Sequence, residues 1–337
     1  MRLSKSIRIV ISILFTSGIL LLLDMENRQS AAKSKVPVIA VFKIISRKVI
    51  DETENGVIDA LEKRGYINGK TCLIKRFSAE GDMAVANTIA QNIVSSKFDM
   101  VITISTPCLQ IMANSNRKGD LIHVFCAVTD PYASGVGITG SAPNEHPPHL
   151  VGIGTFQPVE KTFEIARQMK PDLKKVGTVW CTSETCSEAC VMLARKKCKE
   201  LGIELEEMGI ENSAQILEAA LALIMRGVEA LWVGGDNTVE NGIDQLINAA
   251  SRARIPLITN NPYNIYGNIL FGFGAEYFEV GSIGGNMAAD VLQGKPTTEI
   301  GVENKVPNKL VVNPEAMGNM KDKWEISAFM DIVAKNE

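Results

Sequence analysis

From Val36 onward, the sequence alternates short runs rich in β-branched residues with longer segments of helical period, and no other feature constrains its fold as strongly. Such alternation is typical of parallel βαβ units. Strands are predicted at residues 38–44, 71–76, 100–104, 122–125, 176–180, 204–208, 230–233, 256–259 and 269–273. Helices, with apolar residues every three or four positions, are predicted at 51–64, 84–95, 159–169, 188–201, 214–225, 239–252 and 277–292. The pattern therefore predicts an α/β protein.

The length of the chain predicts two domains, because 337 residues exceed the usual size of a single hydrophobic core. The densest loop composition lies near the middle of the chain, at Gly140, Pro143, Asn144, Pro147 and Pro148. A boundary near Val151 follows from this composition. Similar numbers of predicted βα units lie on each side of it.

The first residues differ from this globular pattern. Arg2, Lys5 and Arg8 precede an apolar stretch over residues 9–23. A basic segment followed by about fifteen apolar residues is typical of a secretory signal peptide, whereas a membrane-spanning helix needs roughly twenty. We predict a signal peptide or an uncleaved N-terminal anchor over residues 1–32. Either one predicts a periplasmic or other extracytoplasmic location.

Charge and motifs argue against several classes of function. Thirty-five basic and thirty-eight acidic residues leave a net charge of -3, which gives no electrostatic reason to expect a nucleic-acid partner. The three histidines, His123, His146 and His149, form no recognisable Ser-His-acid arrangement, and no Gly-rich phosphate loop or zinc-binding motif occurs. No cofactor, metal or catalytic residue is predicted, and an enzyme of doubly wound fold is the less favoured alternative.

Seven cysteines are an odd number for an exported chain, so at least one is expected to be unpaired. Three occur in apolar or strand-like settings and are predicted to be small core residues: Cys72, Cys108 and Cys126. The other four occur close together: Cys181, Cys186, Cys190 and Cys198. For that cluster, a disulfide or unpaired thiols are favoured over a soft-metal site.

Polar residues directly after the strands are the candidate ligand contacts, because ligands of open α/β sheets bind outside the carboxyl ends of the strands. Seven such residues are predicted to contact a ligand: Thr106, Thr129, Asp130, Ser183, Asp236, Asn237 and Asn261. Helix capping is the alternative role for Thr106, Thr129 and Asp130. Asp236 could cap a helix or accept an ammonium group, and turn formation alone would account for Asn260 and Asn261.

These segments resemble one known family along nearly the whole chain beyond residue 35. Residues 124–131 read Val-Phe-Cys-Ala-Val-Thr-Asp-Pro, where the family reads Val-Phe-Ala-Ala-Val-Thr-Asp-Pro, and residues 236–239 read Asp-Asn-Thr-Val. Supporting matches occur at 106–110, 158–161, 183–184, 255–256, 274–281, 294–296 and 310–313. The chain is similar to ABC transporter substrate-binding proteins of the tryptophan/tyrosine-binding type.

This resemblance implies a periplasmic-binding-protein fold of the first type, with two Rossmann-like lobes, each a parallel sheet flanked by helices, joined by a three-strand hinge. Residues 36–152 and 275–305 would form the N-terminal lobe, and residues 153–274 and 306–337 the C-terminal lobe. A monomer would bind a small molecule between the lobes and deliver it to a membrane permease driven by a separate ATPase. The implied ligand is an amino acid, aromatic ones included, or a related small carboxylate.

The resemblance implies separate contacts for the carboxylate and for the amino group of the ligand. Thr106 and Ser183 would donate to a carboxylate, and Asp236 or Asp130 would face an amino group. The chain departs from the family pattern at three places: at residues 181–187, where two amide side chains of the family are absent, and at two places that change the charge. Arg47-Lys48 replaces a frequent His-Pro pair, and Asn261 replaces a frequent acid. Fewer acidic and more basic side chains admit a simple carboxylate as the ligand.

An alternative function keeps the same fold but changes the partner. A chain retained by an uncleaved anchor could present its ligand to a membrane signalling protein, as a sensor. The absence of a kinase or signalling segment in this sequence makes that alternative the less favoured one.

Overall fold

The chain forms two β-sheets, and all strands of the first sheet precede those of the second in the sequence. The computed structural model describes residues 36–140, 142, 144–263, 265–304 and 307–326, so the predicted signal over residues 1–32 lies outside the described residues. From Val38 onward the chain forms one compact unit that contains both sheets.

The first sheet has five parallel strands in the order β2-β1-β3-β4-β5. The strands are β1 (Val38–Lys43), β2 (Leu73–Ser78), β3 (Met100–Ile104), β4 (Ile122–Val128) and β5 (Leu150–Gly154). Between them lie the helices α1 (Lys48–Lys63), α2 (Met83–Ser95) and α3 (Thr106–Ser115). These elements, together with α9 (Tyr277–Leu292), which packs on α1, β4 and β5, are called the first lobe below.

The second sheet has six strands in the order β11-β10-β9-β8-β6-β7. They are β6 (Lys175–Cys181), β7 (Glu204–Ile210), β8 (Ala230–Val233), β9 (Leu257–Thr259), β10 (Ile269–Ala275) and β11 (Asn308–Val312). Its helices are α4 (Val159–Met169), α5 (Thr185–Leu201), α6 (Ile216–Met225), α7 (Asn237–Asn241) and α8 (Ile243–Ala253). Sheet and helices together are called the second lobe.

The predicted fold class is confirmed, with one correction to the direction of a strand. Strand β11 pairs antiparallel with β10, with Ala275 opposite Asn308, so the second sheet is mixed and not fully parallel. The reason is that the chain leaves the second lobe at the end of β10 and returns at that same end, so the returning strand must run in the opposite direction. The lobe boundaries predicted from the sequence stay a prediction.

Hydrophobic periodicity located most elements to within a few residues, and α4 and α9 have the predicted bounds. Three elements were not predicted as such: α3, β5 and β11. The helix predicted at 239–252 is interrupted at Gly242, which separates α7 from α8. A Cβ at Gly242 would lie 2.5 Å from the Ile216 side chain, so the position favours glycine.

Both faces of the second sheet are buried. Along β8, Trp232 packs in a cluster with Phe163 of α4, while Leu231 and Val233 pack in a separate cluster on the opposite face. This alternation is the period-two geometry of a strand covered by helices on both sides. The rings of Phe163 and Trp232 are 5.1 Å apart between centroids.

All seven cysteines are buried and free. The predicted core positions Cys72, Cys108 and Cys126 are each at most 1% exposed, as expected for small apolar residues. In the four-cysteine cluster, each thiol is likewise unpaired, so unpaired thiols are the form present in this structure. None of the helices in the described residues is both long and apolar enough to span a membrane.

His123 lies inside β4, as predicted, and is fully buried. Its Nε2 is 2.8 Å from the Thr103 hydroxyl, while its Nδ1 has no hydrogen-bond partner among the described residues. Burial lowers the pKa of the imidazole from 6.5 to about 3, and the nearby His149 contributes to the shift. The folded protein therefore holds this ring neutral.

Acid is expected to destabilise the fold through His123. Below pH 6.5 the His123 ring binds a proton in the unfolded chain but not in the folded chain. The free energy of unfolding therefore falls as the pH decreases toward 3. Between pH 7.5 and pH 4.5 this ring should cost about 2 to 3 kcal/mol. Urea unfolding at both pH values should show a drop larger by that amount in wild type than in His123→Gln, which keeps a polar group near Thr103. Equal drops would contradict the assignment.

Candidate functional site

Residues that follow the strands of both lobes surround one cavity of about 50 Å³. It is called the inter-lobe cavity below. From the first lobe come residues at or beyond the carboxyl ends of β1, β3 and β4: Ile45, Arg47, Val49, Ile50, Thr106, Ala127 and Thr129. From the second lobe, the segment after β5 and the start of α9 come Thr155, Gln157, Cys186, Gly234, Gly235, Asp236, Asn237, Glu240, Asn260, Asn261 and Tyr277. Because the cavity is this small, a ligand that needs more than about 50 Å³ requires the lobes to move apart.

Five of the seven predicted contacts share this cavity: Thr106, Thr129, Asp236, Asn237 and Asn261. The two others lie elsewhere. Ser183 lines a neighbouring groove of about 180 Å³. Asp130 is outside the lining, and its carboxylate accepts hydrogen bonds from the backbone N–H groups of Tyr132 and Ala133. In this structure Asp130 therefore caps a turn, whereas the alternative role predicted from the sequence was to cap a helix.

On the first lobe, unusual backbone angles occur at the ends of β3 and β4, next to Thr106 and Thr129. Ser105 has φ 105° and Ala127 has φ 52°, both in the left-handed range that non-glycine residues rarely adopt. Just beyond them, the Thr106 hydroxyl accepts a hydrogen bond from the backbone N–H of Thr129 at 3.3 Å. Strained residues of this kind often cluster at ligand sites.

On the second lobe, Asp236 joins three elements through its carboxylate. One oxygen accepts from the Cys181 backbone N–H at 2.7 Å and the Ser187 hydroxyl at 2.6 Å, and the other caps α7 at Val239 N–H, 2.8 Å away. Burial raises the pKa of this carboxyl to about 6, and the charge of Glu184 adds to the rise. The capping role considered from the sequence is therefore realised, with one acceptor position left free.

Glu184 stabilises the start of α7 through hydrogen bonds. Its carboxylate accepts hydrogen bonds from the backbone N–H groups of Asn237 and Thr238, and from both of their side chains. A carboxylate at a helix N-terminus also interacts favourably with the helix dipole. The two sequence segments 183–184 and 236–239 are therefore parts of one network that positions Asp236 and Asn237.

Glu240 was not predicted from the sequence, although it lies at the cavity one helical turn after Asp236. One of its carboxylate oxygens accepts a hydrogen bond from the Asn261 amide at 3.0 Å. Burial raises the pKa of Glu240 to about 7; the Asn261 bond lowers it, Asp236 raises it, and Arg47 lowers it. A spacing of four residues on a helix puts two side chains on one face, which was the available signal.

Two further lining residues were also not predicted: Gln157, in the segment between β5 and α4, and Tyr277, the first residue of α9. The Gln157 amide donates to the Tyr277 hydroxyl at 2.6 Å. The other amide atom of Gln157, Oε1, is buried and has no hydrogen-bond partner among the described residues, and Gln157 lines the cavity. A buried amide oxygen without a partner is costly, so a donor supplied by a ligand would stabilise it.

Direct hydrogen bonds also cross between the lobes. The Arg47 guanidinium donates to the Asn241 carbonyl and side-chain oxygens at 2.8 and 2.6 Å. The Gln110 amide and the Thr185 hydroxyl are within 2.9 to 3.1 Å of each other. These contacts join the two lobes directly.

The cavity is suited to binding and poorly suited to nucleophilic chemistry. Cys186 lines it, but burial raises the pKa of its thiol well above the usual value, and a protonated thiol is a weak nucleophile. Among the described residues, no cluster of three or more His, Cys, Asp or Glu side chains could hold a metal ion. What remains is a set of hydroxyl, amide and carboxyl groups that can hydrogen-bond a small polar molecule.

Two α/β lobes with polar side chains from both around a shared cavity define a bilobal ligand-binding protein. A model of the family described as "ABC transporter substrate binding protein" matches residues 5–323. The chain therefore belongs to this family of ABC transporter substrate-binding proteins, whose members are binding receptors and not enzymes. The family resemblance seen in the sequence is confirmed.

Relatives support this membership over most of the chain. A tyrosine-binding protein of Clostridioides difficile (strain R20291) is 27% identical over 292 residues, which cover 87% of this chain and 83% of that protein. A conserved domain protein of Vibrio cholerae O1 biovar eltor is 25% identical, with a TM-score of 0.83 over 88% of this chain and 98% of its own. A Streptococcus pneumonia ABC domain in complex with L-Trp is 21% identical, with a TM-score of 0.81 and the same coverage, and shows the fold.

Proposed function

We propose that this chain is the extracytoplasmic solute-binding receptor of an ABC importer, and that it binds an amino acid, an aromatic one among the candidates, or a related small carboxylate. The observation that carries the proposal is that hydroxyl, amide and carboxyl side chains of both lobes line one cavity. A ligand held by both lobes stabilises their closed arrangement, which a permease can recognise. Relatives named for tyrosine binding and solved with L-Trp support the amino-acid class.

For the carboxylate of such a ligand, we propose the hydroxyls of Thr106 and Thr129 with Arg47 at the edge of the cavity. The Thr106 hydroxyl lies 3.3 Å from the backbone N–H of Thr129, at the ends of neighbouring strands, and both residues line the cavity. Arg47 keeps unused N–H donors after its two bonds to Asn241, because a guanidinium has five. Asn237 and the free Gln157 oxygen can hydrogen-bond the remaining polar atoms.

Discrimination between ligands would follow from burial. A ligand lacking one of the matching polar groups would leave a buried donor or acceptor without a partner, at a cost of about 1 to 3 kcal/mol. Ile45, Val49 and Ile50 give one wall of the cavity an aliphatic character, which favours an apolar side chain on the ligand.

The test is a thermal-shift panel. The chain without its first 35 residues is unfolded to remove endogenous ligand, refolded, and melted with each amino acid, with simple carboxylates, and with nucleosides as controls. A ligand at one hundred times its dissociation constant should add about 2.7 kcal/mol of apparent stability. If no amino acid and no carboxylate raises the melting temperature, the proposed ligand class is wrong.

A further inference from the structure

We infer that Glu240 is the counter-ion of the ligand, and that the ligand therefore carries a protonated amine and is not a simple carboxylate. This inference rests on the proposed function, since it assumes that the ligand occupies the inter-lobe cavity. It also assigns the amine to a residue other than Asp236, the acid at this edge that the sequence indicated.

The two carboxylates differ in their free hydrogen-bonding capacity. Asp236 accepts three protein donors and is 4% exposed, so nearly all of its acceptor positions are used within the protein. Glu240 accepts one donor, from Asn261, and keeps part of its surface accessible at the cavity. A carboxylate has about four acceptor positions, so Glu240 retains most of them.

No basic side chain of the described residues forms an ion pair with Glu240, although Arg47 lies near enough to influence its charge. The titratable groups around it are Asp236 and Arg47, with the phenols of Tyr266 and Tyr277. Two carboxyls at one small cavity, with a single arginine that is bound to Asn241, leave an excess of negative charge once both are ionised. A cation in the cavity relieves both the burial cost and the mutual repulsion.

The chemistry of the lining favours an ammonium group as that cation. A primary ammonium has three N–H donors in a compact group. Glu240, the free Gln157 oxygen and the remaining acceptor position of Asp236 provide three acceptors at the same cavity. The hydroxyls of Thr106 and Thr129 remain for the other end of the ligand. A zwitterionic amino acid satisfies both sets of groups.

The test compares three probes of one shape by calorimetric titration: L-tyrosine, tyramine, which lacks the carboxylate, and 3-(4-hydroxyphenyl)propionate, which lacks the amine. The variants are Glu240→Gln and, as a control for charge, Glu218→Gln, an exposed position of α6 in the same lobe. Glu240→Gln should weaken L-tyrosine and tyramine by about 100-fold and leave 3-(4-hydroxyphenyl)propionate unchanged or tighter. Glu218→Gln should bind all three as wild type does.

A pH series provides a readout that a purely structural role would not change. Protonation of Glu240 competes with pairing to the ammonium, so wild-type affinity for L-tyrosine should fall up to tenfold per pH unit below about 7. Glu240→Gln should lack this part of the dependence. Because Asp236 titrates in both proteins, the difference between the two curves isolates Glu240. Without ligand, Glu240→Gln should melt at the same or a higher temperature at pH 7.5, because a buried charge is removed.

The outcomes separate this inference from the proposed function. If wild type binds 3-(4-hydroxyphenyl)propionate or other carboxylates but no amine, the receptor stands and the counter-ion role of Glu240 is overturned. Unchanged affinity of Glu240→Gln for L-tyrosine overturns it as well. A melting shift with CaCl₂ that requires Glu240, without a shift with amines, would replace the ammonium by a metal ion. If no amino acid and no carboxylate binds, both proposals fail.

Discussion

Replacing Asp236 with Ala is expected to lower the free energy of unfolding by about 4 kcal/mol, with or without a ligand present. The substitution leaves three donors without their acceptor: the backbone N–H groups of Cys181 and Val239, and the hydroxyl of Ser187. Each buried donor without a partner costs about 1 to 3 kcal/mol, and removal of a carboxyl whose pKa is raised by burial offsets part of the sum. Urea unfolding monitored by circular dichroism measures the difference.

A matched control is available in Asp130→Ala. Asp130 also caps a turn through its carboxylate, but it accepts only two backbone donors and lies outside the cavity. Its replacement should cost about 1 kcal/mol. If Asp236→Ala is no more destabilising than Asp130→Ala, the bonds around Asp236 do not stabilise the fold. If folded Asp236→Ala still responds to an amine-bearing ligand, then Asp236 is not the residue that the amine requires.

The sequence predicted the location of the site better than its chemistry. Parallel strands end at one edge of a sheet, so polar residues after the strands were expected to gather, and Thr129 and Asp236 do share a cavity. Which residue of a post-strand turn faces that cavity depends on local backbone angles, which spacing does not reveal. For that reason the sequence did not reveal that Asp130 hydrogen-bonds within its own loop, or that Ser183 lines the neighbouring groove.

Glu240 shows the limit of a rule based on strand ends. It lies inside the short helix α7, seven residues beyond the end of β8, and reaches the cavity because Glu184 and Asp236 fix the start of that helix. The contacts that fix it come from residues about fifty positions earlier in the chain, at the start of α5. The four-residue spacing from Asp236 indicates only a shared helix face, and no local pattern contains the contacts that hold this helix against the cavity.

The direction of β11 shows a similar limit for the fold. Its apolar residues are typical of a strand, but parallel or antiparallel pairing depends on the end at which the chain re-enters the lobe. That end is set by the preceding passage through the first lobe, where α9 packs along α1. The packing of these two helices depends on glycines, whose role the sequence alone did not indicate.

Replacing Gly281 with Ala is expected to destabilise the protein by at least about 3 kcal/mol, although alanine is the better helix former by about 1 kcal/mol. Gly281 lies in α9 where that helix crosses α1, and a Cβ there would be 2.0 Å from the Thr53 carbonyl oxygen. Gly56 of α1 is in the same situation, with a Cβ 2.0 Å from the Phe278 carbonyl oxygen. Because the obstructing atoms belong to the backbone, a side-chain rotation cannot relieve the overlap, and the helices must separate.

Gly318→Ala is the appropriate comparison, because nothing lies within 4 Å of the added methyl group. This substitution should change the free energy of unfolding by less than about 0.5 kcal/mol. Thermal and urea unfolding of both variants would measure the effect. Gly281→Ala should also lower the response to ligand, because α9 begins at Tyr277 beside the cavity, and a displaced helix moves that side chain. A stability equal to that of Gly318→Ala would mean that α1 and α9 can separate at little cost, and that their close crossing does not hold the first lobe together.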